Sequence, residues 1–200
     1  MGRFLFLLVS CFSVQTCFSQ YNWELEKEKN GISIYLSEVD GSKYKAVKVE
    51  ATFTGTPAKL ISVLTNVPQF NKWIYNTKLS VRIKQNSFLD FTYHSVTSMP
   101  FPLSDRDVAI HLKISTDSLP KFMTIKGVND EDAVPSYPPL VRVTYYNAIW
   151  KVTTPTPQTI HISYILELDP GGGLSPALFN SFASKGPYET FSNLAEELKK

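Results

Sequence analysis

The sequence predicts an α+β fold: a curved antiparallel β-sheet wrapped around a long C-terminal α-helix, with one or two short helices after the first strands. Three observations carry this. Segments of alternating apolar and polar residues follow one another at hairpin spacing, too close for the crossovers that parallel strands need. The period turns clearly helical after Pro57 and again after Pro176. The second of these stretches is long and apolar on one side. A sheet of this many strands curls, and its concave face is where that side can be buried.

The elements follow in order. Residues 23–29 read as an opening strand or a short helix. Ile32-Ser33-Ile34-Tyr35-Leu36 is a strand, and Asp40-Gly41-Ser42 a turn. In 45–53, Val47, Val49, Ala51 and Phe53 share a face. Thr56 is a candidate N-cap and Pro57 the first helical position; Leu60, Ile61, Leu64 and Val67 then recur at helical spacing until Pro68. A short second helix over 69–75 carries Phe70 and Trp73. Leu79, Val81 and Ile83 alternate, as do Leu89, Phe91 and Tyr93. After the proline-rich run 98–105, Val108, Ile110, Leu112 and Ile114 share a face, and Arg106 has their parity. Residues 122–127 form a strand and 129–139 a polar loop. Val141, Val143 and Tyr145 alternate with Arg142, Thr144 and Tyr146. In the last strand Ile160, Ile162, Tyr164, Leu166 and Leu168 share a face. Asp169-Pro170-Gly171-Gly172-Gly173 breaks the sheet. Ser175-Pro176 opens the final helix, with Leu178, Phe179, Phe182, Tyr188, Phe191, Leu194 and Leu198 on its apolar side and Gly186-Pro187 expected to kink or split it.

The first 19 residues stand apart. Arg3 precedes an apolar run from Phe4 to Val9, and Cys17-Phe18-Ser19 offers a small-residue cleavage pattern, as in a secretory signal peptide. Residues 1–19 are therefore expected to be removed on export, leaving 20–200 as one domain, periplasmic or extracellular. Val14-Gln15-Thr16 before Cys17 is a poor lipoprotein box, which makes anchoring through Cys17 the alternative. Both cysteines, Cys11 and Cys17, fall within this segment, so the mature domain must rely on its core without a disulfide.

The charges nearly balance, with 20 Lys and Arg against 18 Asp and Glu. The absence of a basic run argues against nucleic acid as a partner. The three histidines, His94, His111 and His161, lie on separate strands opposite the expected core faces and read as surface residues rather than metal ligands. Ser98 and Ser104 have no His-Asp arrangement near them, and no catalytic residue is expected. Gly171-Gly172-Gly173 lacks a phosphate-loop ending and reads as a flexible joint.

Several pieces together resemble the START domain (steroidogenic acute regulatory protein-related lipid transfer domain) of the helix-grip, or Bet v 1-like, superfamily. They are Trp23 with Gly31-Ile32, the helix after Pro57 with Trp73, Ser104-Asp105-Arg106-Asp107, Val141-Arg142, Trp150, and Leu168-Asp169-Pro170-Gly171-Gly172 leading into Pro176. The resemblance covers essentially all of 20–200. It implies a tunnel between sheet and helix that binds, and can transfer, one lipid or other apolar small molecule. It further implies a monomer in transient membrane contact, with no cofactor, metal or catalytic activity. A cyclase- or hydrolase-like enzyme of the same superfamily, or a filled-core domain working through its surface, are the alternatives.

The expected ligand-lining residues are Phe91, Tyr93, Arg106, Ile110 and Leu112 on the central strands, Val143, Tyr145 and Tyr164 on the later ones, and Leu178, Phe179 and Phe182 on the final helix. By pattern alone the aromatic ones read more readily as ordinary core, with Tyr93 evenly balanced. Arg106 is the arginine of the family's Arg-Asp signature. It reads either as half of a buried ion pair pinning the loop to the sheet or as a cation for a ligand carboxylate or phosphate. Counting from that signature, the acid–arginine pair of the family's sterol-transfer member falls on Tyr93 and Leu112. Neither is charged, so the resemblance implies a ligand with one modest polar end rather than sterol specificity.

Overall fold

A computed structural model describes residues 21–119 and 121–200. The predicted signal peptide and Cys17 lie outside the described residues. Among the described residues one sheet contains ten strands: β1 (Glu24–Lys29), β2 (Ile32–Ser37), β3 (Ala46–Thr54), β4 (Thr77–Ser87), β5 (Asp90–Thr97), β6 (Arg106–Ser115), β7 (Phe122–Asn129), β8 (Val141–Arg142), β9 (Tyr145–Thr156) and β10 (Thr159–Asp169). Its order is β1-β2-β3-β10-β9-β7-β6-β5-β4, and the short β8 pairs with the start of β6. Every pairing is antiparallel except β6–β8. The predicted sheet and grip helix are therefore present.

Local chemistry explains the joints. β1 turns into β2 through Asn30 and Gly31, with φ of 53° and 74°. Both central residues of such a two-residue hairpin turn must be left-handed, which Asn and Gly tolerate best. Helix α1 (Pro57–Thr65) starts where expected: the Thr56 hydroxyl accepts a hydrogen bond from the Lys59 N–H at 3.2 Å, and Pro57 is at the first position. The predicted second helix is a 3₁₀ turn at Val67–Lys72 that buries Val67 and Phe70.

The C-terminal helix is split, as Gly186-Pro187 suggested. Helix α2 (Pro176–Phe182) is two turns long and α3 (Lys185–Lys199) about four. The break falls at Ala183–Ser184, and Gly186 and Pro187 lie in the first turn of α3, where a missing N–H is harmless. Helix α3 buries Tyr188, Phe191, Leu194 and Leu198 against the sheet. The Phe191 ring stacks on Trp150 at 5.2 Å and lies 5.4 Å from Tyr164. That side of the sheet is the core: Ile34 and Val49 from β2 and β3, Ile162 from β10, Ile125 from β7 and Phe91 from β5 are completely covered.

The edge strand β4 behaves differently. Leu79, Val81 and Ile83 alternate as read, but all three face solvent. The pairing of β4 with β5 is interrupted by three register shifts, and Arg82 points inward in their place. Its guanidinium lies 3.8 Å from the Phe91 ring centroid and donates to the Thr65 carbonyl at the end of α1.

Candidate functional site

The first two residues of β6 divide the site. Side chains alternate along a strand, so Arg106 faces inward with Val108, Ile110 and Leu112, while Asp107 faces outward. The two are neighbours in sequence and cannot pair face to face.

Asp107 is 1 % exposed and has its own partners. Strand β8 runs alongside, with Arg142 in register with Asp107. Arg142 donates from Nε to Oδ1 at 3.1 Å and from Nη2 to Oδ2 at 2.8 Å. The His94 Nε2, on β5, lies 3.0 Å from Oδ2. Burial alone would raise the Asp107 carboxyl, but the bonds from Arg142 and His94 and their charges prevail and hold it below the ordinary carboxylate value. Arg142 also donates to the carbonyls of Val134 and Pro135, at 3.2 and 2.9 Å. One guanidinium thereby ties the loop between β7 and β8 to the sheet.

His94 is a correction. It is 7 % exposed, not a surface residue, because this loop covers the outer face of β5 and brings the Tyr137 ring to 6.4 Å from the imidazole. His111 and His161 do lie nearer the surface, beside Asp90 and Glu50.

Arg106 is also a correction to the ion-pair expectation. It is 6 % exposed, yet among the described residues it has no carboxylate partner. Its Nη1 donates to the Ser104 carbonyl, and its Nε is buried without a partner. The preceding Asp105 is engaged by Lys78 and by the Met99 N–H, bonds that lower its carboxyl.

Further along the inner face, Tyr93 lies in register with Ile110 and Phe91 with Leu112. All four are buried. The Phe70 ring meets Tyr93 edge-on at 5.2 Å. Burial, and then the nearby Tyr146 phenol, push the Tyr93 hydroxyl well above its usual range. Tyr164 is pushed up in the same way, by burial first and then by Tyr146 and Tyr93. Tyr146 is itself raised by burial. Three phenols thus gather in one apolar interior.

Tyr146 was missed and Tyr145 was placed wrongly. Tyr145 is 45 % exposed, and its hydroxyl donates to Glu167 at 2.9 Å, a carboxylate that also receives the Tyr21 hydroxyl. The reason is the break between β8 and β9. Val143 is buried, but the chain leaves β8 there: the Thr144 N–H turns to the Asp169 carbonyl, and parity resumes one residue later. Tyr146, Ala148, Trp150 and Val152 then share the inner face. Counting back from Trp150 rather than forward from Val143 would have found it. Gly127 makes the room, since a Cβ there would lie 3.4 Å from the Tyr146 ring and 3.3 Å from Ile110.

Two of the three α2 residues are likewise displaced. Leu178 is 39 % and Phe182 50 % exposed, because so short a helix, broken at Ala183, does not continue the stripe of α3. Phe179 packs edge-on against Tyr44 at 5.0 Å. Tyr44 is buried and donates to the Leu174 carbonyl at 2.8 Å, while the Lys45 N–H donates to the Asn180 Oδ1 at 3.2 Å. These contacts latch α2 to the turn between β2 and β3.

The triple-glycine joint is more constrained than a flexible linker. Gly171, Gly172 and Gly173 have φ of 69°, 62° and 64°. A Cβ on Gly171 would lie 2.1 Å from the Arg142 carbonyl oxygen, and one on Gly172 would lie 2.8 Å from Val141. The joint is pressed against β8, the strand that holds Asp107.

Two clefts open at the surface. One of about 480 Å³ lies between the turn containing Gly41 and Lys43 and the side chains of Tyr145 and Glu167. The other, about 570 Å³, lies beside Glu131, Pro135 and Arg142. Tyr145 is the one predicted ligand residue that borders either cleft. No cluster of three metal-ligating side chains occurs among the described residues.

Comparison with known proteins agrees with this architecture. The START domain family model matches residues 11–200. The uncharacterized protein PA1579 of Pseudomonas aeruginosa is 28 % identical over 199 residues, covering 99 % of this chain and 97 % of that protein. START domain-containing protein 10 of Mus musculus is 27 % identical over 176 residues, covering 82 % of this chain and 57 % of that protein. The crystal structure of a STAR-related lipid transfer protein fragment from Xanthomonas axonopodis superposes with a TM-score of 0.81. Its identity is 22 %, over 89 % of this chain and 99 % of that one. An aromatase/cyclase from Streptomyces shares the fold more distantly, at a TM-score of 0.52 and 11 % identity, over 76 % of this chain and 91 % of that one. With its inward Arg106, its Asp-Pro-Gly-Gly break and its helix gripped by the sheet, this chain belongs to the START domain family.

Proposed function

We propose that this protein binds one lipid or other apolar small molecule between the sheet and the C-terminal helices, and exchanges it with membranes by transient contact. The observation that carries this is the chemistry of the inner face. It is an apolar surface bearing the phenols of Tyr93, Tyr146 and Tyr164, which suits a long apolar body with a few hydrogen-bonding points. Of the buried ionisable side chains, His94 and Asp107 are turned away from it, and Arg106 faces it at the start of β6. An enzymatic reading needs a general acid or base beside Tyr93, and the rings packed against Tyr93 are those of Phe70 and Phe91. Membership of a family whose structural relatives include a lipid transfer protein supports the same reading.

Entry is by displacement of α2, whose Leu178 and Phe182 are exposed and available to a bilayer surface. The N-terminal pattern supports export, with the protein acting as a monomer. Organic extraction and mass spectrometry of protein purified from its native compartment is the test. A reproducible stoichiometric lipid, or uptake of a fluorescent lipid by stripped protein, is expected. Finding neither overturns the proposal.

A further inference from the structure

Arg106 is a buried guanidinium with no carboxylate in salt-bridge contact among the described residues; Asp105 is near enough to feel its charge but is bonded elsewhere. An arginine stays protonated throughout the pH range of a folded protein, so its burial cannot be relieved by losing a proton. The carboxylates on either side of it in the chain are committed. Asp105 accepts from Lys78 and the Met99 N–H, and Asp107 faces the other side of the sheet, held by Arg142 and His94. The Ser104 carbonyl takes Nη1, which leaves the Nε–Nη2 edge; Nε is buried without a partner among the described residues, while Nη2 is not among the buried unpartnered atoms.

The neighbouring arginine shows what that edge does. Arg142 uses the same two nitrogens to grip both oxygens of Asp107, at 3.1 and 2.8 Å. Such a fork matches two oxygens of one anion, as in a carboxylate or a phosphate. Arg106 presents the fork on the inner face of β6, without the acid.

We propose that Arg106 receives the anionic head of an amphiphile, a carboxylate or a phosphate monoester, whose chain runs along the inner face past Ile110 and Leu112. This rests on the lipid-binding reading above and specifies its ligand class. From Arg106 to Leu112 the strand advances about 20 Å, the reach of a long acyl chain. Tyr93 lies in register with Ile110, about two-thirds of the way along.

The test uses lipid-stripped full-length protein and three fluorescent probes with one alkyl chain: a fatty acid, the corresponding alcohol and the corresponding alkyl phosphate. The wild type is expected to bind the acid, the phosphate or both at least about tenfold more tightly than the alcohol, and the ranking of the two anions identifies the head. Arg106→Gln is expected to remove the preference while leaving alcohol binding in place. Arg106→Lys, which keeps the charge but not the fork, is expected to retain only part of it. Wild-type binding of all three probes within about twofold overturns this inference and leaves the lipid-binding reading standing. An anion preference that survives Arg106→Gln overturns the assignment to Arg106. Failure of every probe to bind overturns this inference, and the lipid-binding reading falls with it only if extraction also recovers no lipid. The wild-type ranking needs no variant, so a poorly folding substitution does not protect the proposal.

Discussion

Asp107 and Arg142 form a pair whose value differs from that of a surface ion pair, because both lie under the loop between β7 and β8. Arg142→Met removes the partner and leaves a buried carboxylate. A loss of about 3–5 kcal/mol is expected from urea unfolding at neutral pH. The pH dependence has a definite sign. The folded Asp107 carboxyl is depressed, so its contribution is present above the unfolded value of about 3.9 and is lost as pH falls through the folded one. Asp107→Asn should be less stable at pH 7 and should show a shallower loss of stability below about pH 4 than the wild type. Parallel acid titration slopes in the two proteins would contradict this. The glycine joint offers a second comparison at the same scale. Gly171 and Gly173 have nearly the same positive φ, but a Cβ on Gly173 meets nothing within 4 Å, whereas one on Gly171 strikes the Arg142 carbonyl. Gly173→Ala should cost about 1 kcal/mol, the left-handed penalty alone. Gly171→Ala should cost clearly more and lower the melting temperature further. Equal losses would mean that the contact with β8 has no energetic weight.

At the scale of elements, the C-terminal helix has two parts with different jobs. Helix α3 carries the packing: Phe191 packs against both Trp150 and Tyr164 and is 1 % exposed. Phe191→Ala should cost about 3–5 kcal/mol. Phe182→Ala, on the exposed side of α2, should change stability by no more than about 0.5 kcal/mol and should instead slow lipid uptake from vesicles. Thermal unfolding and a vesicle transfer assay separate the two; a large destabilisation by Phe182→Ala would refute the division. The sequence made the periods of these elements legible, and their phase less so. Tyr164 and Leu112 face inward as their parity predicts, because uninterrupted strands propagate parity from residue to residue. Tyr145 was misplaced because a break between β8 and β9 resets that parity, and the break depends on a long-range bond from Thr144 to Asp169. Leu178 and Phe182 failed for the same reason in helical form: two helices of one stripe need not share a rotation. His94 was missed because burial of an outer face by a distant loop leaves no local pattern.

For the molecule as a whole, the antiparallel sheet and its terminal helix were readable because hairpin spacing leaves no room for crossovers, whereas the pairing of β3 with β10 was not. What could not be read was which buried groups have partners. Arg106 and Asp107 stand side by side in the chain, which suggests a pair; the pleat separates them, and each is completed or left incomplete by residues far away. The break at Ala183–Ser184 has a consequence for how this molecule fluctuates. A door hung on its own hinge opens without taking down the frame. Amide protons of α2 should exchange with solvent through a small local opening, those of α3 only through the cooperative loss of the sheet, and the two sets should differ in their response to denaturant. If both helices exchange together, α2 is not independent; if they separate, the interior can be visited many times within the lifetime of one folded state.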